Sequence, residues 1–372
     1  MYMIKTALSA MLLLLSLKGS AQIYLNPGVD TSLQKVKTAL HFYDDYLLSF
    51  KGKKLPDMAK YWPAAELKKR TVPDQLIYAI DDSSPLYASG YSTTILYIRP
   101  AEKYVHFKTQ FSYADSLKQI MTMAVINSYV GFDDKGRPYL INPLTINMAN
   151  WRTSSRGNVV FHYPPYHKFD AKRADSLIKE ISMLEKVWSL KPLVINYYMI
   201  NDYDELYRLK GFDFAVGMGN ENKPSGKADE KDNQVFCGGL GENYFHEVVH
   251  LYLNRLFTDS PLQEGLAVFY GGSMGRPVKW HLKRVNQYLL AHPNADLTDI
   301  DNFWYTDPYT NPGSAIQGML CSLVYQKDGL AGLKRLMGYT SYTDIFEKEF
   351  HISKAQVNGF IRAAVREEAV GN

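Results

Sequence analysis

The sequence predicts an α+β protein built in two parts, and three observations carry that reading. One amphipathic helical stretch is followed, from about residue 92 to residue 141, by stretches whose apolar residues alternate. Between residues 158 and 240, strand-like and helix-like stretches take turns. Beyond Gly272 every periodic stretch is helical. A helix followed by antiparallel strands makes one α+β layer, and the mixed run with its helical tail makes another. The chain has 372 residues, 46% hydrophobic and 22% charged, which is ordinary for a globular protein and long enough for two domains.

Residues 1–21 read as a secretory signal peptide. Lys5 is the positive n-region, and Ala7 to Leu17 is an apolar run too short to span a bilayer comfortably. Gly19-Ser20-Ala21 supplies small residues before a mature start at Gln22. No cysteine follows the run, so no lipid anchor is expected, and no later stretch reads as a membrane span. The chain is therefore expected to be secreted or periplasmic. Removing this segment removes Lys5 and Lys18 and no acid, so the formal charge falls from +4 to +2. That near-neutral balance gives no support for a nucleic-acid partner.

Residues 22–150 form the expected N-terminal domain. Thr31 to Phe50 carries Leu33, Val36, Leu40, Tyr43 and Leu47 at helical spacing, with Asp30 as the expected N-cap. A polar stretch from Lys51 to Pro73 holds a short helix at Ala64 to Arg70. Ile95 to Arg99 is strand-like, and Tyr104 to Tyr113 alternates with Val105, Phe107, Thr109 and Phe111 on one face. Met123 to Phe132 and Pro138 to Ile141 flank Asp133-Asp134-Lys135-Gly136, a hairpin signal. The order of elements is similar to cystatin-like or nuclear-transport-factor-2-like (NTF2-like) domains. No catalytic constellation stands out, and the expected role is to cover a cleft or bind a partner.

Residues 151–372 form the second domain, after a polar loop at Asn150 to Gly157. Asn158 to Tyr163 is a strand and Asp170 to Leu190 a helix with Ala174, Leu177, Ile181, Leu184 and Trp188 on one face. Leu193 to Ile200 is a buried strand, Tyr203 to Leu209 a short helix, Glu221 to Gln234 a charged loop and Val235 to Leu240 a strand. Helices follow at Val278 to His292, Ser314 to Gln326, Gly329 to Met337, Tyr342 to Phe350 and Lys354 to Glu368.

The chemistry concentrates at His246-Glu247-Val248-Val249-His250. Histidines four apart on a helix project from one face, so both imidazoles reach one ion. Glu247 flanks that face and is placed to serve as a base. Val248, Val249, Leu251 and Leu253 make the surroundings apolar. A zinc site also needs a third protein ligand. Glu264 opens a second helix that ends at Gly271-Gly272, and Ser260-Pro261-Leu262-Gln263 reads as its capping box.

His246 to His250 with Glu264-Gly265-Leu266-Ala267 resembles the gluzincin branch of the zinc metallopeptidases, across about Gly238 to Gly272. The metzincin pattern fails, because Leu253 and Leu256 stand where glycine and histidine are needed. The resemblance implies a zincin-like domain with Zn2+ held by His246, His250 and Glu264, and Glu247 as general base for peptide hydrolysis. It implies that Val235 to Leu240 is the edge strand where an extended peptide adds, with Gly238 and Gly239 either admitting the substrate backbone or simply turning the chain into the helix. A downstream tyrosine is implied as an oxyanion donor. Tyr309 before Gly313-Ser314 is the first candidate and Tyr305 the second. Gly239-Leu240-Gly241-Glu242-Asn243 is a loose echo of an amine-binding motif, so Glu242 either holds a substrate amine or caps a helix.

The expected function is therefore a secreted zinc-dependent peptidase acting on a peptide or protein substrate. The alternative is a catalytically silent zincin-fold binding protein that recognises peptides or a surface partner. Cys237 and Cys321 are left either paired or free.

Overall fold

The computed structural model describes residues 23–50, 56–69, 73–74, 92–219, 224–301, 303, 307 and 309–370. The expected signal peptide and Tyr305 lie outside the described residues. The protein is a mixed α+β chain with two mixed sheets. It divides into two compact units, one running to Asn150 and including Asp204–Asn220, the other comprising Trp151–Tyr203 and Glu221–Asn372.

In the first unit the sheet order is β1 (Ile23–Leu25), β2 (Ser92–Pro100), β3 (Tyr104–Ala114), β4 (Ile120–Phe132), β5 (Pro138–Ile141), and β9 (Phe212–Ala215) also pairs with β4. Helix α1 (Gln34–Ser49) buries Val36, Ala39, Leu40, Tyr43, Tyr46 and Leu47. Its Tyr43 hydroxyl reaches Thr109 Oγ1 on β3 at 3.1 Å and Ser128 Oγ on β4 at 3.0 Å. Buried phenols keep partners of this kind because an unpaired hydroxyl inside is costly. Asp30 does not cap α1; its carboxylate accepts from the Ser32 N–H, and the helix starts three residues later than the apolar spacing suggested. Short helices α2 (Ala64–Lys69) and α3 (Pro143–Asn147) complete the unit, the latter capped by Asn142.

The second unit has the sheet order β10 (Ser225–Asp229), β11 (Gln234–Gly238), β8 (Ile195–Ile200), β7 (Val159–Tyr163), β6 (Arg152–Arg156). The three central strands are parallel, and both edge strands are antiparallel to their neighbours. Two expectations are corrected here. The polar stretch at Asn150 to Gly157 is not a loop but contains β6, and the charged loop at Glu221 to Gln234 contains β10. Edge strands hold on through backbone hydrogen bonds alone, so they need no apolar alternation.

Helix α4 (Ala171–Trp188) packs Ala174, Leu177, Ile181, Leu184 and Trp188 into the core, and Asp170 caps it by accepting from the Lys172 and Arg173 N–H groups. After α5 (Tyr203–Leu209), α6 (Phe245–Leu253) and α7 (Gln263–Gly271) come α8 (Val278–Ala291), α9 (Pro312–Met337), α10 (Tyr342–Asp344) and α11 (Val357–Val370). The two helices expected at Ser314 to Gln326 and Gly329 to Met337 are arms of α9, broken at Gly329 where φ is +58°. The capping box expected before α7 is absent: Ser260 Oγ accepts instead from the Leu262 N–H, and α7 has no side-chain cap. Among the described residues no helix is long and apolar enough to cross a membrane.

Helix α7 lies tightly against α9. A Cβ on Gly265 would come within 2.6 Å of Gln317 Cβ and 2.7 Å of its backbone carbon. Backbone cannot give way as a flexible side chain can. Gly265→Ala is expected to destabilise the fold by about 1–3 kcal/mol, read as a lower denaturant midpoint with an unchanged slope.

Candidate metal centre

Helix α6 is buried along most of its length, with Val248, Val249, Leu251 and Leu253 in the core. That packing fixes which face His246 and His250 present. Helix α7 follows after a short turn and places Glu264, in its first turn, opposite them. The ligand atoms of His246, His250 and Glu264 all lie within 4.8 Å of one another. His250 Nε2 is 3.2 Å from His246 Nε2 and 3.3 Å from Glu264 Oε2, and His246 Nε2 is 3.6 Å from Glu264 Oε1. The structure thus brings together the three residues that the sequence singled out.

Both rings are held from behind. His246 Nδ1 is 2.6 Å from the Gly272 carbonyl, which can only accept, so Nδ1 carries a proton and, in the neutral ring, the Nε2 lone pair faces Glu264. Tyr244 stacks flat on the same ring, with centroids 5.4 Å apart. His250 Nδ1 is 3.3 Å from Asn254 Oδ1, and the Asn254 amide donates to Glu230 Oε1 at 2.7 Å. Outer partners of this kind orient metal-ligating imidazoles. Two imidazole nitrogens and a carboxylate, with their outer atoms tied, suit a zinc ion that keeps one position open.

The electrostatics fit a place for positive charge. Burial alone would push the His246 imidazole down, but Glu264 and then Glu247 overrule it and hold it up at about 9. Burial alone would push the Glu264 carboxyl up, but the two imidazoles hold it well below the usual carboxylate range. Glu247 is raised, chiefly by its own burial, against the pull of both histidines.

Glu247 lies under β10. The Ala228 backbone beside it favours the charged carboxylate slightly, a minor pull against the burial. Gly226 lets the strand come this close, since a Cβ there would fall 2.4 Å from the Tyr244 ring and 2.6 Å from Glu247 Oε1. Gly226, Ala228, Asn254 and the Gly272 carbonyl were not singled out from the sequence. The first two sit in a polar, charge-rich stretch without apolar alternation. The last two act through one short side chain and one backbone atom, which leave no pattern.

Other expected positions fall elsewhere. Strand β11 is not an edge, because β10 covers one side of it and β8 the other. Gly238 pairs within this sheet, and Gly239 turns the chain at φ +72° and lines a separate pocket with Asn201, Arg173 and Glu242. Glu242 is 2% exposed and caps α4, accepting from the Asp170 N–H at 2.6 Å and lying 2.8 Å from His167 Nε2. Both contacts use its Oε1, and the residue also lines that pocket. Tyr309 is 49% exposed and lies in a turn, with its N–H on Asp307 Oδ1; it does not line the pocket beside Glu264. Cys237 and Cys321 are both free and buried, and burial pushes the Cys237 thiol up to about 12. His292 is exposed and stacks on Tyr288, whereas His106 and His162 are half-buried and bonded to Asn127 and Asn196.

No protein-family model, no curated protein and no solved structure matches the chain.

If the triad holds zinc, Asn254→Ala frees the His250 ring and is expected to weaken zinc affinity by about tenfold, while Glu264→Ala weakens it further. Competition with a fluorescent chelator on the purified chain measures both. Equal retention by Glu264→Ala and the native chain would remove Glu264 from the ligand set.

Proposed function

We propose that the protein is a secreted zinc-dependent peptidase whose second unit is zincin-like, with His246, His250 and Glu264 as metal ligands and Glu247 as general base. The observation that carries this reading is the convergence of those three ligand atoms within 4.8 Å, with Glu247 buried beside them. The helix pair that carries the triad supports this reading, and the mixed sheet of the second unit is compatible with it. In the first unit, one helix packed on a largely antiparallel sheet is compatible with the cystatin-like or NTF2-like reading. The signal peptide read at residues 1–21 would direct the chain out of the cytoplasm.

Zinc bound by the triad would act as a Lewis acid, making a water acidic enough to attack near neutral pH and polarising the scissile carbonyl. The protein supplies the rest. Glu247 takes the proton, and its burial raises its proton affinity, as a base working near neutral pH requires. Among the described residues strand β10 pairs with β11 alone. An extended peptide would add along its other side, so the docking strand is β10 and not β11.

The test pairs two measurements on the full chain. Metal content is determined, and cleavage of a mixed peptide library is compared with Glu247→Gln. Turnover is expected to fall by about 10²–10⁴-fold in the variant while zinc stays bound. Zinc retained with no cleavage by either protein would instead favour the catalytically silent binding protein.

A further inference from the structure

Beside Glu264 lies a pocket of about 460 Å³ that the proposed chemistry does not use. Its wall includes Glu264, Ile300, Asp301, Asn311, Ser314 and Gln317. Among its described lining residues there is no lysine, arginine or histidine. The two carboxylates are not equivalent. Glu264 faces the imidazoles of His246 and His250. Asp301 Oδ1 meets only neutral donors, the Tyr342 hydroxyl at 2.7 Å and the Gln317 amide at 3.4 Å. A carboxylate served by neutral donors keeps its full negative charge toward the pocket.

Gln317 adds a second, independent observation. It is 6% exposed, and its amide nitrogen donates to Tyr342 at 2.8 Å. Its carbonyl oxygen Oε1 is buried with no hydrogen-bond partner. A buried acceptor left unpaired costs stability. Among the described residues this oxygen has no donor, and a donor brought by a ligand would satisfy it. Ile300 offers apolar wall for a hydrocarbon stem, and the volume suits a long side chain.

We propose that this pocket receives the cationic side chain, lysine or arginine, of a peptide substrate, with Asp301 as its counter-charge and Gln317 Oε1 as an added acceptor. This rests on the peptidase reading for the bond cleaved, but the pocket's preference can be measured without turnover. A neutral chain of equal length leaves Gln317 Oε1 without a donor and Asp301 without a counter-charge, and is selected against. An acidic chain meets the Asp301 carboxylate and is repelled.

Two experiments on the zinc-loaded full chain separate the pocket from the chemistry. The first compares peptides that carry lysine, arginine, norleucine or glutamate at single positions on either side of the scissile bond. At one position lysine and arginine are expected to exceed norleucine by about tenfold or more in kcat/KM, and Asp301→Asn to bring that ratio within about threefold. The second titrates N-acetyl-arginine amide and N-acetyl-norleucine amide into Glu247→Gln by calorimetry, with and without Asp301→Asn. Only the arginine amide is expected to bind, and to lose about tenfold when Asp301 is changed. Asparagine keeps an acceptor for Tyr342; should that variant misfold, Gln317→Met removes the other acceptor at similar volume and should reduce the same ratio. Cleavage without a cationic preference overturns the pocket and leaves the peptidase. Arginine-selective, Asp301-dependent binding without cleavage supports the pocket and overturns the peptidase. Neither cleavage nor selective binding overturns both.

Discussion

The hydrogen bond between His246 Nδ1 and the Gly272 carbonyl is the constraint on which the centre depends. It ties the end of α7 to the start of α6. With both helices buried against the same core, neither can rotate without breaking the other's packing. In the neutral ring the bond settles the His246 tautomer, so the atom that faces Glu264 is an acceptor. Glu264, at the opposite end of α7, is then delivered opposite His250 by helix geometry alone. One backbone carbonyl thus does for His246 what Asn254 and Glu230 do for His250.

Charge at the centre follows from that packing. Two carboxylates and two imidazoles share a small, largely buried volume, and the apolar core beneath them offers no competing polar group. In such a place like charges cannot both be tolerated without something positive between them. His246, held up at about 9, supplies that positive charge in the chain itself. A divalent cation among the same atoms would supply it more strongly.

What could be read from the sequence divides along physical lines. His246, His250 and Glu264 were legible because a covalent spacing of four fixes two of them on one helix face, and a single tight turn leaves the third little freedom. The parallel strands β7, β8 and β11 were legible because their cores are continuous apolar runs. Strands β6, β9 and β10 were not. Ser225-Gly226-Lys227-Ala228-Asp229 has no buried face, and only its pairing with β11 makes it a strand. Missing it left β11 as the expected edge strand and hid Gly226, whose lack of a side chain makes room for Glu247. Likewise nothing in the alternation of Phe212 to Ala215 tells that it leaves its sequence neighbours to pair with β4.

The position of the centre also departs from what the sheet alone would suggest. In open sheets with parallel strands, ligands usually sit at the carboxyl ends, where helix N-termini favour negative charge. The carboxyl ends of β8 and β11 do open on a pocket at the start of α4. There the chain supplies its own anion: the Glu242 carboxylate accepts from the Asp170 N–H and pairs with His167, and Arg173 donates to the Leu240 carbonyl. The helix dipole is answered from within, so that end needs no ligand for its charge. At α6 and α7 the ligand atoms of His246, His250 and Glu264 instead converge on one another, within 4.8 Å, and Gln317 Oε1 has no partner among the described residues.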